Sequence, residues 1–148
     1  MLRLFILLLS LGGLADALYF TLAYYGRIRK ARWVPQIFCA RQESSCVTVV
    51  RTPYARVFGV PNSLLGVVYY LLLMVWIMIV PRHVSISGHP LRPFETLGLL
   101  LFGASLSSVV LGFYLIYALR RLLHTHCPLC YAAHAINIIL FVLLIFVS

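Results

Sequence analysis

The sequence predicts an all-α integral membrane protein: a bundle of four transmembrane helices with a cysteine-bearing, partly helical loop between the first two. Three observations predict it. Of the 148 residues, 63% are hydrophobic and only 10% are charged, whereas soluble domains are about half apolar and a quarter charged. Mean hydropathy is +1.01. Four apolar stretches each approach the roughly 20 residues that cross a hydrocarbon core of about 30 Å. They leave no room for a second domain, so residues 1–148 read as a single transmembrane unit.

The first stretch runs from Leu4 to Tyr25. Arg3 before a leucine-rich run has the opening of a secretory signal, yet the stretch continues through Asp16, Tyr19, Tyr24 and Tyr25. That exceeds a signal core, and the tyrosines fit an interfacial belt, so a retained helix is expected. The second stretch, Val60 to Val80, contains Gly66. The third, Leu97 to Leu119, carries Gly103, Ser105, Ser107, Ser108 and Gly112. These read as small-residue packing surfaces, because no partnering base marks any serine as a nucleophile. The fourth, Tyr131 to Ser148, is opened by Cys127-Pro128-Leu129-Cys130. Pro128 suits a first helical turn, where its missing N–H costs nothing, and Cys127 suits the cap before it. Between the first two stretches, Val47 to Phe58 mixes Val and Phe with Arg51 and Arg56. A short amphipathic helix lying at the interface is expected there.

Four crossings place both termini and the middle connection on one side, and the first and third connections on the other. Cys39, Cys46, Cys127 and Cys130 therefore share one compartment, although about 80 residues that cross the bilayer and return separate the two pairs. Nine of the twelve basic residues lie on that side: Arg27, Arg29, Lys30, Arg32, Arg41, Arg51, Arg56, Arg120 and Arg121, against Arg3, Arg82 and Arg92. The positive-inside bias thus points the cysteines to the cytoplasm. Cytosolic disulfides are rare except in hyperthermophiles, and a chain with far more Arg than Lys and few amide side chains is compatible with such a source. The net charge of +9 flanks membrane spans, so lipid headgroups rather than nucleic acid are its expected partners.

The cysteine spacing points to redox chemistry. A Cys-x-x-Cys at a helix start holds two thiols one turn apart, and unpaired helix N–H groups favour the thiolate. A purely structural disulfide there would close too short a loop to constrain much chain entropy. Cys39 and Cys46 read two ways, as a bridge that stiffens the loop or as a carrier pair whose thiolates Arg32 and Arg41 support. Cys130, His134 and Asn137, spaced by four and three, form one stripe of the fourth helix, and polar groups in a span usually turn inward. Asp16 is the only acidic residue in a predicted span; it reads as an inward-facing carboxyl packed against Tyr or Ser ahead of a functional group. Metal binding is the lesser reading. Cys127 and Cys130 have zinc-like spacing with His124, His126 and His134 nearby, but Cys39 and Cys46 lack it, and Tyr131 after Cys130 excludes a haem-attachment motif. His124 and His126 read as solvated interfacial residues.

These pieces, in this order, resemble the vitamin K epoxide reductase family: Cys39 and Cys46, Thr52-Pro53-Tyr54 before Phe58-Gly59, Asn62-Ser63-Leu64-Leu65-Gly66, then Cys127-Pro128-Leu129-Cys130 with Ala135-Ile136-Asn137. The resemblance covers nearly the whole chain. It implies a bundle around a quinone of menaquinone, ubiquinone or vitamin K type, capped by the first loop. It also implies a separate thioredoxin-like redox partner. Carried over, Cys39 forms or resolves the mixed disulfide with that partner, Cys46 attacks Cys127, and Cys130 passes electrons to the quinone. Asn62 and the position of His134, a Tyr in the animal enzymes, hydrogen-bond the quinone oxygens; Thr52 positions the loop or bonds a sulfur. The implied activity is quinone-dependent thiol:disulfide oxidation supporting disulfide formation, with vitamin K epoxide or quinone reduction as the alternative. A non-enzymatic membrane protein with structural or metal-binding cysteines is the reading from another class.

Overall fold

Each of the four apolar stretches contributes one helix. The computed structural model describes residues 1–27, 49–57, 59–79, 92–124 and 126–146, without the side chains of residues 92–95. Helix α1 spans Leu2–Tyr24, α2 Asn62–Ile79, α3 Arg92–Tyr117 and α4 Pro128–Ile145. All four are long and apolar enough to cross a membrane. Cys39, Cys46, Phe58 and the first loop before Val49 lie outside the described residues apart from its start at Tyr25–Arg27.

Local chemistry sets the helix ends. Helix α1 stops in a Schellman motif: Gly26 takes φ +70, its N–H returns to the Ala23 carbonyl at 3.1 Å, and the Arg27 N–H to Leu22 at 3.0 Å. Only a residue without Cβ adopts that φ at no cost, which is why the helix ends at a glycine. Helix α3 starts five residues before the expected Leu97, since Pro93 is tolerated in a first turn. At its other end α3 widens into a π turn, Ala118–Leu122, closed by the Leu123 N–H on the Ala118 carbonyl at 3.0 Å. His124, at φ +49, then turns the chain toward α4.

Helix α1 packs against α2 on one side and α4 on the other, and α3 closes the ring by meeting both α4 and α2. Lipid is as apolar as leucine, so close packing and internal hydrogen bonds must hold such a ring together. Both are present. Gly13 of α1 receives the Tyr70 ring, into which any Cβ would intrude. Gly66 of α2 lies against Ala17, where an added Cβ would stand 3.4 Å from the Ala17 methyl. The Tyr70 hydroxyl donates to Asn137 Oδ1 at 2.6 Å, tying α2 to α4. Ile6, Leu73, Ile77, Leu101, Leu140 and Leu144 fill the bundle beyond this bond. Leu4, Leu8, Leu11, Leu18 and Leu22 of α1 face outward, as lipid permits.

The loop over the cysteine end departs from the expected amphipathic helix at Val47 to Phe58. Its described part is a helical turn at residues 49–51, a 3₁₀ turn at Pro53–Ala55, and a two-residue ladder of β1 (Arg56–Val57) with β2 (Val60–Pro61). Pro53 is the reason. It lacks an N–H and drives Thr52 to an extended conformation (φ −71, ψ 154), ending any helix there. Gly59, at φ +82, closes the ladder. The Thr52 hydroxyl donates to the Val49 carbonyl at 2.7 Å and so braces the bend. Arg56 stacks over the Tyr24 ring at 5.4 Å, pinning the ladder to the end of α1.

Candidate active site

Cys127 and Cys130 form a disulfide with Cα atoms 5.3 Å apart. The fold gives the two sulfurs different surroundings. Cys127 is the N-cap of α4, its Sγ accepting the Cys130 N–H at 3.3 Å. It is fully buried in a cluster with Phe20, Val50 and Leu119. Cys130, one turn on, lines a cavity between the helices. The α3 end steadies this turn: Arg120 of the π turn stacks over Tyr131 at 5.4 Å, and its Nε donates to the Tyr131 hydroxyl at 3.4 Å.

The cavity measures about 460 Å³, within the range of sites that enclose small organic ligands. All four helices contribute walls, and Val49, Val50, Ala55 and Val57 of the capping loop contribute its cover. Most of the lining is apolar, from Phe20, Leu65, Leu111, Leu115, Ile116 and Leu119. Against it stand the polar groups Asp16, Asn62, His134 and Asn137, with the sulfur of Cys130 at the same surface. The stripe expected on the fourth helix is therefore real: Cys130, His134 and Asn137 all face this space.

His134 occupies a tightly shaped place. Gly112 of α3 lies opposite it, so close that a Cβ there would stand 2.8 Å from Nδ1. Nδ1 has no hydrogen-bond partner among the described residues. Asn137 is held in one orientation, because its carbonyl oxygen accepts from Tyr70. A set of hydrogen-bonding groups on an apolar cavity wall beside a disulfide sulfur suits a flat, apolar ring carrying oxygen acceptors.

A model of the vitamin K epoxide reductase family matches residues 4–145. The chain belongs to that family. Its members are membrane oxidoreductases of thiols and quinones that work with a redox partner, and family and structure together make this chain a multi-pass membrane protein. No curated protein matches it.

Against the residues expected for such a family member, the structure brings together Cys127, Cys130, Asn62 and His134. Thr52 does not line the cavity; its bond to Val49 makes it a brace of the cover. Cys39 and Cys46 fall outside the described residues. His124 and His126 are exposed, as expected. The expected packing role of the α3 small residues is mixed. Ser105 is buried and Gly112 packs against His134, but Gly103 faces open space. Ser107 and Ser108 reach the cavity wall with their hydroxyls donated to the carbonyls of Gly103 (2.8 Å) and Ser105 (2.9 Å). Tyr70 and the cover residues Val49 and Val50 were not legible as site residues. For Tyr70 a signal existed: a tyrosine deep in a span, away from the interfacial belt, needs a hydroxyl partner inside the protein.

Proposed function

We propose that this protein oxidises the dithiol of a separate thioredoxin-like partner and delivers the electrons, through two cysteine pairs, to a quinone in the cavity. The observation that carries this reading is the asymmetry of the Cys127–Cys130 disulfide, one sulfur sealed beneath the cover and the other on the cavity wall. In this scheme Cys39 exchanges with the partner and Cys46 attacks Cys127. From Val50, which packs in the Cys127 cluster, the chain back to Cys46 is four residues, a reach of at most about 14 Å. That length permits the attack. The exchange forms a Cys46–Cys127 bond and expels the Cys130 thiolate into the cavity.

The lining fits a quinone in volume, apolarity and donor set, and when bound the quinone supplies a two-electron, two-proton sink. Asn62 and His134 hold its oxygens by hydrogen bonds, and Cys130 is the sulfur that meets the ring. Leu111, Leu115 and Phe20 give the same space an apolar surface, which disfavours water there and protects the exchanging thiolate from side reactions. Thr52 keeps the cover bent over the cluster. The Lys/Arg bias supports cysteines that face the cytoplasm.

The test is Cys130→Ala under anaerobic conditions with a dithiol donor, supplying a naphthoquinone in one arm and its epoxide in another. Quinone reduction stops in Cys130→Ala, and in donor-free Cys39→Ser, where Cys46 attacks the intact Cys127–Cys130 disulfide and no Cys39 thiol resolves the product, a Cys46–Cys127 linkage is trapped, seen by mass spectrometry of alkylated peptides. Unchanged reduction, or no trapped linkage, refutes the path. Activity with the epoxide alone moves the physiological substrate to the epoxide.

A further inference from the structure

Asp16 is the only Asp or Glu within the four apolar spans, Leu2–Tyr24, Asn62–Ile79, Thr96–Leu122 and Pro128–Ile145, and the electron path just proposed gives it no task. It lines the same cavity as Cys130 and His134. Among the described residues it makes no ion pair or hydrogen bond, while Tyr70 lies within its electrostatic reach. The helical rise of 1.5 Å per residue fixes its depth. Asp16 lies eight residues from the cysteine-side end of α1, about 12 Å down. His134 and Asn137 lie six and nine residues below Pro128, about 9 and 13 Å. Tyr70, eight residues into α2, is level with Asp16 at about 12 Å. The carboxyl therefore sits with Tyr70 and Asn137 at the inner end of the cavity, and Cys130 sits at the outer end.

An uncompensated carboxylate in such surroundings costs several kcal/mol, so a carboxyl kept there calls for a use. Dithiol oxidation provides one. Closing the Cys127–Cys130 disulfide releases two electrons and two protons, and a quinone takes up two of each. The acceptor sits away from water, so its protons must come from groups on the cavity wall.

We propose that Asp16 is the proton donor of this cavity. Its carboxyl passes one proton to the acceptor oxygen nearest the inner end of the cavity as the electrons leave Cys130, and it regains one of the two protons that the thiols release, ending the cycle unchanged. This rests on the quinone-linked reading above. The other titratable groups on the cavity wall are Tyr69 and Tyr70 from α2 and His134 and Cys130 from α4. His134 is the natural donor of the other proton.

The test compares wild type with Asp16→Asn and Asp16→Glu, purified in lipid nanodiscs. In quinone-free protein, infrared difference spectra on transfer to deuterium oxide should show a carboxylic-acid carbonyl band that shifts in wild type and is missing in Asp16→Asn. With a dithiol donor and a short-chain naphthoquinone, Asp16→Asn should lose about 10²-fold or more in kcat, the range of a general acid. The kcat/KM for the dithiol and formation of the reduced Cys127–Cys130 pair, read by alkylation, should stay unchanged, and Asp16→Glu should recover most of the rate. Absence of the Asp16 band, or Asp16→Asn turnover within about twofold of wild type, overturns the assignment. A misfolded Asp16→Asn would also lose quinone binding, and Asp16→Glu with its band then decides. A wild type that reduces no quinone refutes the electron path instead.

Discussion

Substituting Gly112 by alanine tests the role of His134 without touching its chemistry. The added Cβ would lie 2.8 Å from Nδ1, 3.3 Å from Cγ and 3.5 Å from Cε1 of the imidazole. To regain ordinary contact at 3.4 Å the ring must retreat by about 0.6 Å, and in a closely packed interior it has little freedom to do so. Overpacking of this kind costs about 1–3 kcal/mol. Misplacing a positioning group by about an ångström costs up to about 10²-fold in rate. Gly112→Ala is therefore expected to lower naphthoquinone reduction by about tenfold to a hundredfold, at unchanged thiol exchange with dithiothreitol. Gly103→Ala is the control, since no atom lies within 4 Å of a Cβ there; it should change the rate by less than about twofold. The assay is anaerobic quinone absorbance in nanodiscs, with the same substitutions repeated in a His134→Ala background. If the methyl acts through the ring, its penalty vanishes in that background. A penalty that survives there, or a Gly112→Ala rate equal to that of Gly103→Ala, refutes the reasoning.

Three further outcomes are expected. Tyr70→Phe removes the donor to Asn137 Oδ1 and should destabilise the bundle by about 1 kcal/mol, read by reversible detergent unfolding; no loss would mean that the bond adds nothing to α2–α4 association. Cys39→Ser should slow turnover with a thioredoxin-like protein donor far more than with a small dithiol, and equal losses in both would remove its carrier role. Cysteine labelling of reduced protein with a membrane-impermeant reagent should require cell lysis, and full labelling in intact cells would place the sulfurs outside.

Much of this was legible in the residues. Apolar length fixes the spans, and the spacing of Cys130, His134 and Asn137 put them on one face before any contact was known. What local patterns do not encode is which helix faces which. The pairing of Gly112 with His134, and of Tyr70 with Asn137, joins residues 22 and 67 positions apart. Sequence position says nothing of either until the ring of helices closes. The capping loop shows the opposite failure. Amphipathic composition suggested a helix from Val47, yet Pro53 lay in plain view and its missing N–H outweighs that pattern. From sequence Asp16 reads as a packing residue, because burial alone cannot tell a sealed interior from a cavity wall.

The placement of Cys127 beneath Val50, Phe20 and Leu119 also governs leakage. Among the described residues, a soluble thiol such as glutathione approaching Cys127 meets aliphatic and aromatic carbon, so this sulfur is shielded from direct attack. In the path proposed above, admission depends on lifting a few hydrophobic side chains, a motion open to a cysteine tethered four residues from Val50 and denied to a freely diffusing competitor.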